Sequence, residues 1–116
     1  MLGERDMDAV LQALGNENRR RMLDIVRAQP GIAVGAVARQ FDVSRIAVMK
    51  HLAVLEEANL IVSEKDGRVR RLRVNVVPIQ MIHERWTTEY SAYWAGQVTR
   101  IKYLAEARQR DKENGG

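Results

Sequence analysis

The stretch Val34-Gly-Ala-Val-Ala-Arg-Gln-Phe-Asp-Val-Ser-Arg-Ile-Ala-Val-Met-Lys-His-Leu-Ala-Val-Leu55 decides the fold. Its first part carries Val34, Val37, Ala38 and Phe41 at i, i+3, i+4 and i+7, the apolar stripe of a short helix. Asp42-Val43-Ser44 interrupts that period, and Ser44 is placed to cap a second helix by accepting a backbone N–H hydrogen bond. Within the second helix Val48, Leu52 and Leu55 form the inward stripe. At about 100° per residue, Arg45, Ile46, Met49, Lys50 and Ala53 then lie on roughly the opposite face. A buried stripe backing an exposed face of cationic, small and pliable side chains suits a helix laid in the DNA major groove.

Upstream, Met7, Val10, Leu11 and Leu14 share helical spacing and predict a first amphipathic helix from Glu4 to Leu14. Gly15-Asn16 breaks it, and Asn16 can cap a second helix that begins near Glu17 and turns Met22, Leu23 and Val26 inward. Gln29-Pro30-Gly31 stops that helix, because proline lacks the N–H that would continue it. Arg19, Arg20 and Arg21 fall at its N-terminal end, where the macrodipole disfavours positive charge. Two roles stand open for them: a solvated face, or a contact with phosphate or an acidic neighbour.

Downstream, Glu56-Glu-Ala-Asn59 closes the helix pair, with Asn59 suited to the left-handed conformation of a helix end. Leu60–Lys65 and Val69–Asn75 are β-like runs separated by Asp66-Gly67-Arg68, a hairpin signal. A two-residue turn at Asp66-Gly67 places Ile61 opposite Leu72, with Val74 on the same face, and Arg71 opposite Val62. Five basic and two acidic residues lie between Glu64 and Arg73. Charge commonly protects an exposed strand edge. Directly after a groove-reading helix, however, Arg68, Arg70, Arg71 and Arg73 are candidates for DNA contact.

Pro78 opens a last helix that runs without a break, apart from Gly96, from Ile79 to about Arg110. Five of the six aromatic residues are here: Trp86, Tyr90, Tyr93, Trp94 and Tyr103. So small a core cannot easily cover them all, and a second copy of the same helix can. A homodimer is expected, joined through Met7, Leu11, Ile82, Trp86, Tyr90, Tyr93, Trp94 and Ile101. Residues 1–110 form one domain on this reading, with 78–110 as its dimerisation helix and 111–116 as a flexible polar tail.

Composition removes several alternatives. A chain of 116 residues is long enough for a single core. Absence of cysteine excludes disulfides, thiolate metal ligands and thiol redox sensing. No stretch reads as a transmembrane span or signal peptide, so a cytoplasmic location is expected. The formal charge of +4 favours a polyanionic partner without proving one. No nucleophile triad, phosphate-binding loop or dinucleotide fingerprint is present, so neither catalysis nor a cofactor is expected. His51 and His83 are the two histidines, too few for a zinc site that needs three or four converging ligands. His51 reads instead as a hydrogen-bonded side chain between helices.

The chain resembles the ArsR-type family of bacterial winged-helix regulators. Four blocks carry the resemblance in order: Leu14-Gly-Asn-Glu-Asn-Arg-Arg-Arg-Met-Leu23, Val43-Ser-Arg-Ile-Ala-Val-Met-Lys-His-Leu52, Leu55-Glu-Glu-Ala-Asn-Leu-Ile61, and Gly67-Arg68 followed by Leu72, Val74 and Asn75. The spacing of Trp86, Tyr90 and Trp94 is similar to a subgroup without obvious metal sites. This resemblance implies a homodimeric repressor that occludes a promoter by binding a palindromic operator in double-stranded DNA. It also implies that Ser44, Arg45, Met49 and Lys50 match the base- and phosphate-contacting positions, which Ile46 joins on its helical face. Asn59, Arg45, Met49 and Leu72 stand where the family commonly has Gly, Gln, Ser and Tyr, so operator preference does not transfer from relatives.

The expected fold is therefore mostly α (α+β): a winged helix-turn-helix with a two-stranded hairpin wing and a long C-terminal helix. Two other functions compete with plain repression. One is a winged-helix module that holds another protein, and the other is a repressor released by a small molecule.

Overall fold

The computed structural model describes residues 2–87 and 95–114. Helices α1 (Glu4–Leu14) and α2 (Glu17–Ala28) come first, followed by strand β1 (Ile32–Ala33). Helices α3 (Val34–Ala38) and α4 (Arg45–Glu57) form the helix-turn-helix pair. Strands β2 (Ile61–Asp66) and β3 (Val69–Val74), then helices α5 (Val77–Thr87) and α6 (Ala95–Asn114), complete the order. The chain divides into two compact units, Met1–His83 and Glu84–Gly116.

Local chemistry sets the helix ends. Asn16 Oδ1 accepts the Arg19 N–H at 3.1 Å, and Ser44 Oγ accepts the Ala47 N–H at 3.1 Å, so both expected caps are made. Each cap satisfies a donor that no intrahelical carbonyl can reach, which stabilises the helix by about 1 kcal/mol. At the other end of α4, Asn59 takes a φ of 60°. There Leu60 N–H donates to Leu55 O at 2.9 Å and Asn59 N–H to Glu56 O at 3.0 Å, the paired bonds of a Schellman close. Leu55 and Leu60 are both fully buried, which supplies the apolar contact that accompanies this motif.

The core lies in the first unit, between the inward stripes of α1 to α4 and one face of the sheet. Val10, Ala13, Met22, Val26, Val37, Val48, Leu52, Leu55, Leu60, Ile61 and Leu72 are its most enclosed members. Phe41 is buried just beyond α3, which ends at Ala38 and is shorter than the stripe suggested.

The expected two-stranded hairpin wing is formed by β2 and β3, and β1 adds a third strand, giving the order β1-β3-β2. Ile32 pairs with Leu72 and Ala33 with Arg71, and the Gly31 N–H donates to Leu72 O at 2.8 Å, so the turn after α2 is stitched to the hairpin. Gly31 enables this with a φ of 88°, a conformation that side chains disfavour. The hairpin also turns one residue later than expected. Asp66 pairs with Val69, so the loop residues are Gly67 and Arg68, and Ile61 faces Val74 instead of Leu72. Gly67, with a φ of 63°, occupies the first central position, as in a type II′ turn. The resulting register shift is two residues, an even number, so the faces are unchanged and Ile61 and Leu72 still point inward.

Asn75 joins the wing's exit to the end of α4. Its backbone N–H donates to Leu60 O and its side-chain amide to Asn59 O, both at 2.9 Å, while its Oδ1 accepts the Val77 N–H at 3.2 Å. That last bond starts α5 at Val77, which makes Pro78 its second residue instead of its first. The last helix, expected to be continuous, is described as α5 and α6, and residues 88–94 between them lie outside the described residues. Helix α6 extends to Asn114, so Asp111–Asn114, expected as a polar tail, are helical.

Candidate nucleic-acid interface

Helix α4 rests on α1 and α2 through Val48, Leu52 and Leu55, and this fixes what it turns outward. Arg45, Ile46, Met49, Lys50 and Ala53 are all exposed and together border one shallow surface hollow. Ile46 is 71% exposed, more than any other large hydrophobic residue in the described chain, and Met49 is 38% exposed. Ser44 is exposed too, but its Oγ is occupied by the cap.

The wing's cations divide into two kinds. Arg71 is held within the protein. Its Nε donates to Asp66 Oδ2 at 2.9 Å and one terminal nitrogen donates to Gly31 O at 3.1 Å, while Glu64 faces it across the ladder. Lys65 and Arg70 face each other across the same ladder on the opposite side, and Arg68 lies in the turn. Among the described residues, the side chains of Lys65, Arg68, Arg70, Arg73, Arg45 and Lys50 make no hydrogen bond or ion pair with the protein.

The arginine run on α2 has a different fate. Arg19 donates through Nε to Ala13 O at 2.8 Å and through a terminal nitrogen to Gln12 O at 3.0 Å. Arg20 donates to Leu14 O at 2.7 Å. These acceptors are in the last turn of α1, where carbonyls lack the usual i+4 donor and the dipole is negative; Gln12 O also accepts the Gly15 N–H at 3.1 Å. The cations are badly placed for their own helix and well placed for its neighbour. Arg21 donates to Gln40 O at 3.2 Å and lies 4.8 Å from the centre of the Phe41 ring, tying α2 to the end of α3.

His51 completes the Arg19 cluster. A terminal nitrogen of Arg19 lies 3.3 Å from His51 Nδ1. A guanidinium has only donors, so in a hydrogen bond between the two groups Nδ1 is the accepting atom. His51 is thus a hydrogen-bonded side chain between α2 and α4, as its position suggested.

The candidate interface residues from the sequence are distributed unevenly. Met7 is buried within the protomer at 6% exposure, whereas Leu11 is half exposed. Ile82 is partly buried against the core. In the C-terminal unit, Trp86, Ile101, Tyr103 and Leu104 are each about 60% exposed. Tyr90, Tyr93 and Trp94 lie outside the described residues. No described helix is long and apolar enough to cross a membrane.

A helix-turn-helix whose second helix exposes a cationic and apolar face, beside a basic hairpin, defines a winged-helix DNA-binding protein. Residues 14–64 match the helix-turn-helix domain family. An HTH-type transcriptional regulator of Bacillus subtilis, YuzN, is 33% identical over 85 residues, which cover 68% of this chain and 92% of that protein. The transcriptional repressor SdpR of the same organism is 26% identical over 74 residues, covering 64% of this chain and 81% of that one. A crystal structure of an ArsR family transcriptional regulator superposes with a TM-score of 0.66 at 28% identity, covering 79% of this chain and 93% of that chain. The chain belongs to the helix-turn-helix transcriptional regulators, with a fold similar to that of ArsR family structures, and its function is DNA-binding regulation of transcription.

Proposed function

We propose that the protein is a homodimeric repressor that binds a palindromic operator and blocks access to the promoter. The observation that carries the DNA contact is the outward face of α4, where Arg45 and Lys50 flank Ile46 and Met49 and have no protein partner among the described residues. Direct base contact falls to Arg45, Ile46, Met49 and Lys50, with Ser44 at the helix start able to approach the backbone. On the wing, Arg68, Arg70 and Arg73 neutralise phosphate, and Lys65 joins them.

Dimerisation is supported by large apolar side chains left in water. Leu11 on α1 and Trp86, Ile101 and Leu104 in the C-terminal unit are too exposed to contribute to the protomer's own core. A second copy covers them and sets two α4 helices in successive major grooves, about 34–36 Å apart. Residues 78–110 act as the dimerisation segment on this proposal, and no catalysis, cofactor or metal is assigned to the protein.

Selection of bound sequences from a random double-stranded pool tests the proposal. The expected product is a two-fold symmetric site with half-sites about 10–10.5 base pairs apart, centre to centre. Recovery of no preferred sequence, together with a stable complex with another protein, would favour an interaction module instead.

A further inference from the structure

The outward face of α4 is unusual in which hydrogen bonds it can make. Of its five residues, Arg45 and Lys50 are donors only, and Ile46, Met49 and Ala53 have no polar group beyond the weakly accepting methionine sulfur. No Asn, Gln, Asp or Glu is present to accept the amino groups of adenine N6 or cytosine N4. What such a face can recognise in the major groove is therefore limited. Donors suit the purine N7 atoms and the keto oxygens of guanine and thymine, with guanine alone offering an adjacent O6 and N7 pair, and apolar atoms suit the thymine 5-methyl group.

Spacing and exposure fit the second of these. Ile46, Met49 and Ala53 follow one another at i, i+3 and i+7, a line of about 10.5 Å at 1.5 Å per residue. That length matches about three base-pair steps of 3.4 Å. Ile46 is 71% exposed, so its side chain is available without any rearrangement of the core. Cations at both flanks favour an anionic partner over an apolar protein surface.

We propose that Ile46 and Met49 read thymine methyl groups, so that each operator half-site places thymine against this stripe and guanine against Arg45 or Lys50. This rests on the DNA contact proposed above for α4 and adds the base identity.

Deoxyuridine scanning tests it. Each thymine of the selected operator is replaced singly by deoxyuridine, which removes the methyl group and keeps every hydrogen-bonding atom. One or two positions per half-site should lose about fourfold in affinity, the effect of one buried methyl-sized group. With Ile46→Ala, deoxyuridine at the position facing Ile46 should cost nothing further, because the methyl has already lost its partner. Thermal unfolding of Ile46→Ala should match the parent protein, since the residue lies outside the core. Specific binding with no position sensitive to deoxyuridine would overturn methyl reading while leaving DNA recognition by α4 intact. Failure to select any sequence would instead overturn the proposed operator binding on which methyl reading rests. An equal deoxyuridine penalty with and without Ile46→Ala would show that Ile46 is not the reader.

Discussion

Two groups of cations in this chain look alike on paper and behave oppositely in the fold. Arg19, Arg20 and Arg21 point back into the protein and end on carbonyls of α1 and of the segment after α3. The side chains of Arg45, Lys50, Arg68 and Arg70 point outward and make no hydrogen bond to the protein among the described residues. What separates the groups is the presence of carbonyls at helix ends within reach, each with a lone pair to spare. The last turn of α1 offers several such acceptors, and an arginine satisfies them at a gain that a solvated side chain does not have. Arg71 shows that the boundary does not follow secondary structure, since it lies on the wing and yet belongs with the inward group.

The comparison can be tested through the side chains on either side of it. Removing Arg19 strips donors from Gln12 O and Ala13 O and from His51, and Arg19→Ala should lower unfolding free energy by about 2 kcal/mol in a denaturant titration. Its DNA-binding salt dependence should stay at the parent value. Arg45→Ala should act in the reverse way, leaving stability within about 0.5 kcal/mol of the parent. Affinity for the selected site should fall about tenfold, with relaxed preference at one base pair per half-site. Arg70→Ala should weaken specific and random DNA alike, by a few-fold, without changing preference. The smallest effect is expected at Asp66, and its sign matters more than its size. Deleting a carboxylate from a DNA-facing wing should strengthen binding if charge alone counts. If Asp66 positions Arg71, and through it the wing on the Gly31 turn, Asp66→Ala should instead weaken binding, by about twofold in a direct titration.

Much of this architecture was legible in the sequence, for identifiable reasons. Asn16, Ser44 and Asn59 act on backbone groups within three or four residues, so their effects follow from local chemistry. The apolar stripe of α4 was equally plain, because one face of the helix is buried and the period is strict. Strand β1 was not legible. Two residues show no alternation, and their pairing depends on Gly31 meeting a strand 40 residues away. The hairpin turn was ambiguous because Asp66-Gly67 and Gly67-Arg68 both put glycine at a central position. Pairing across the ladder, which propensity does not report, selects the second. The fate of the arginines was the least accessible of all. Nothing in Arg19-Arg-Arg21 indicates that the end of α1 lies within hydrogen-bonding distance, and nothing in Arg70-Arg71 distinguishes the outward residue from the latched one. Alternation places them on opposite faces, but only the position of the Gly31 carbonyl decides which face holds a partner.

The most direct test of this division is the salt dependence of operator binding, measured in parallel for the parent protein, Arg70→Ala and Arg71→Ala. Each lost phosphate contact should reduce the log–log slope by about 0.9, so a dimer lacking both copies of Arg70 should be shallower by about 1.8. Arg71→Ala should lose affinity along a line parallel to the parent, because a side chain already paired with Asp66 and Gly31 releases no counterions from DNA. Equal flattening by both variants would contradict the account and return Arg71 to the phosphate-contacting set.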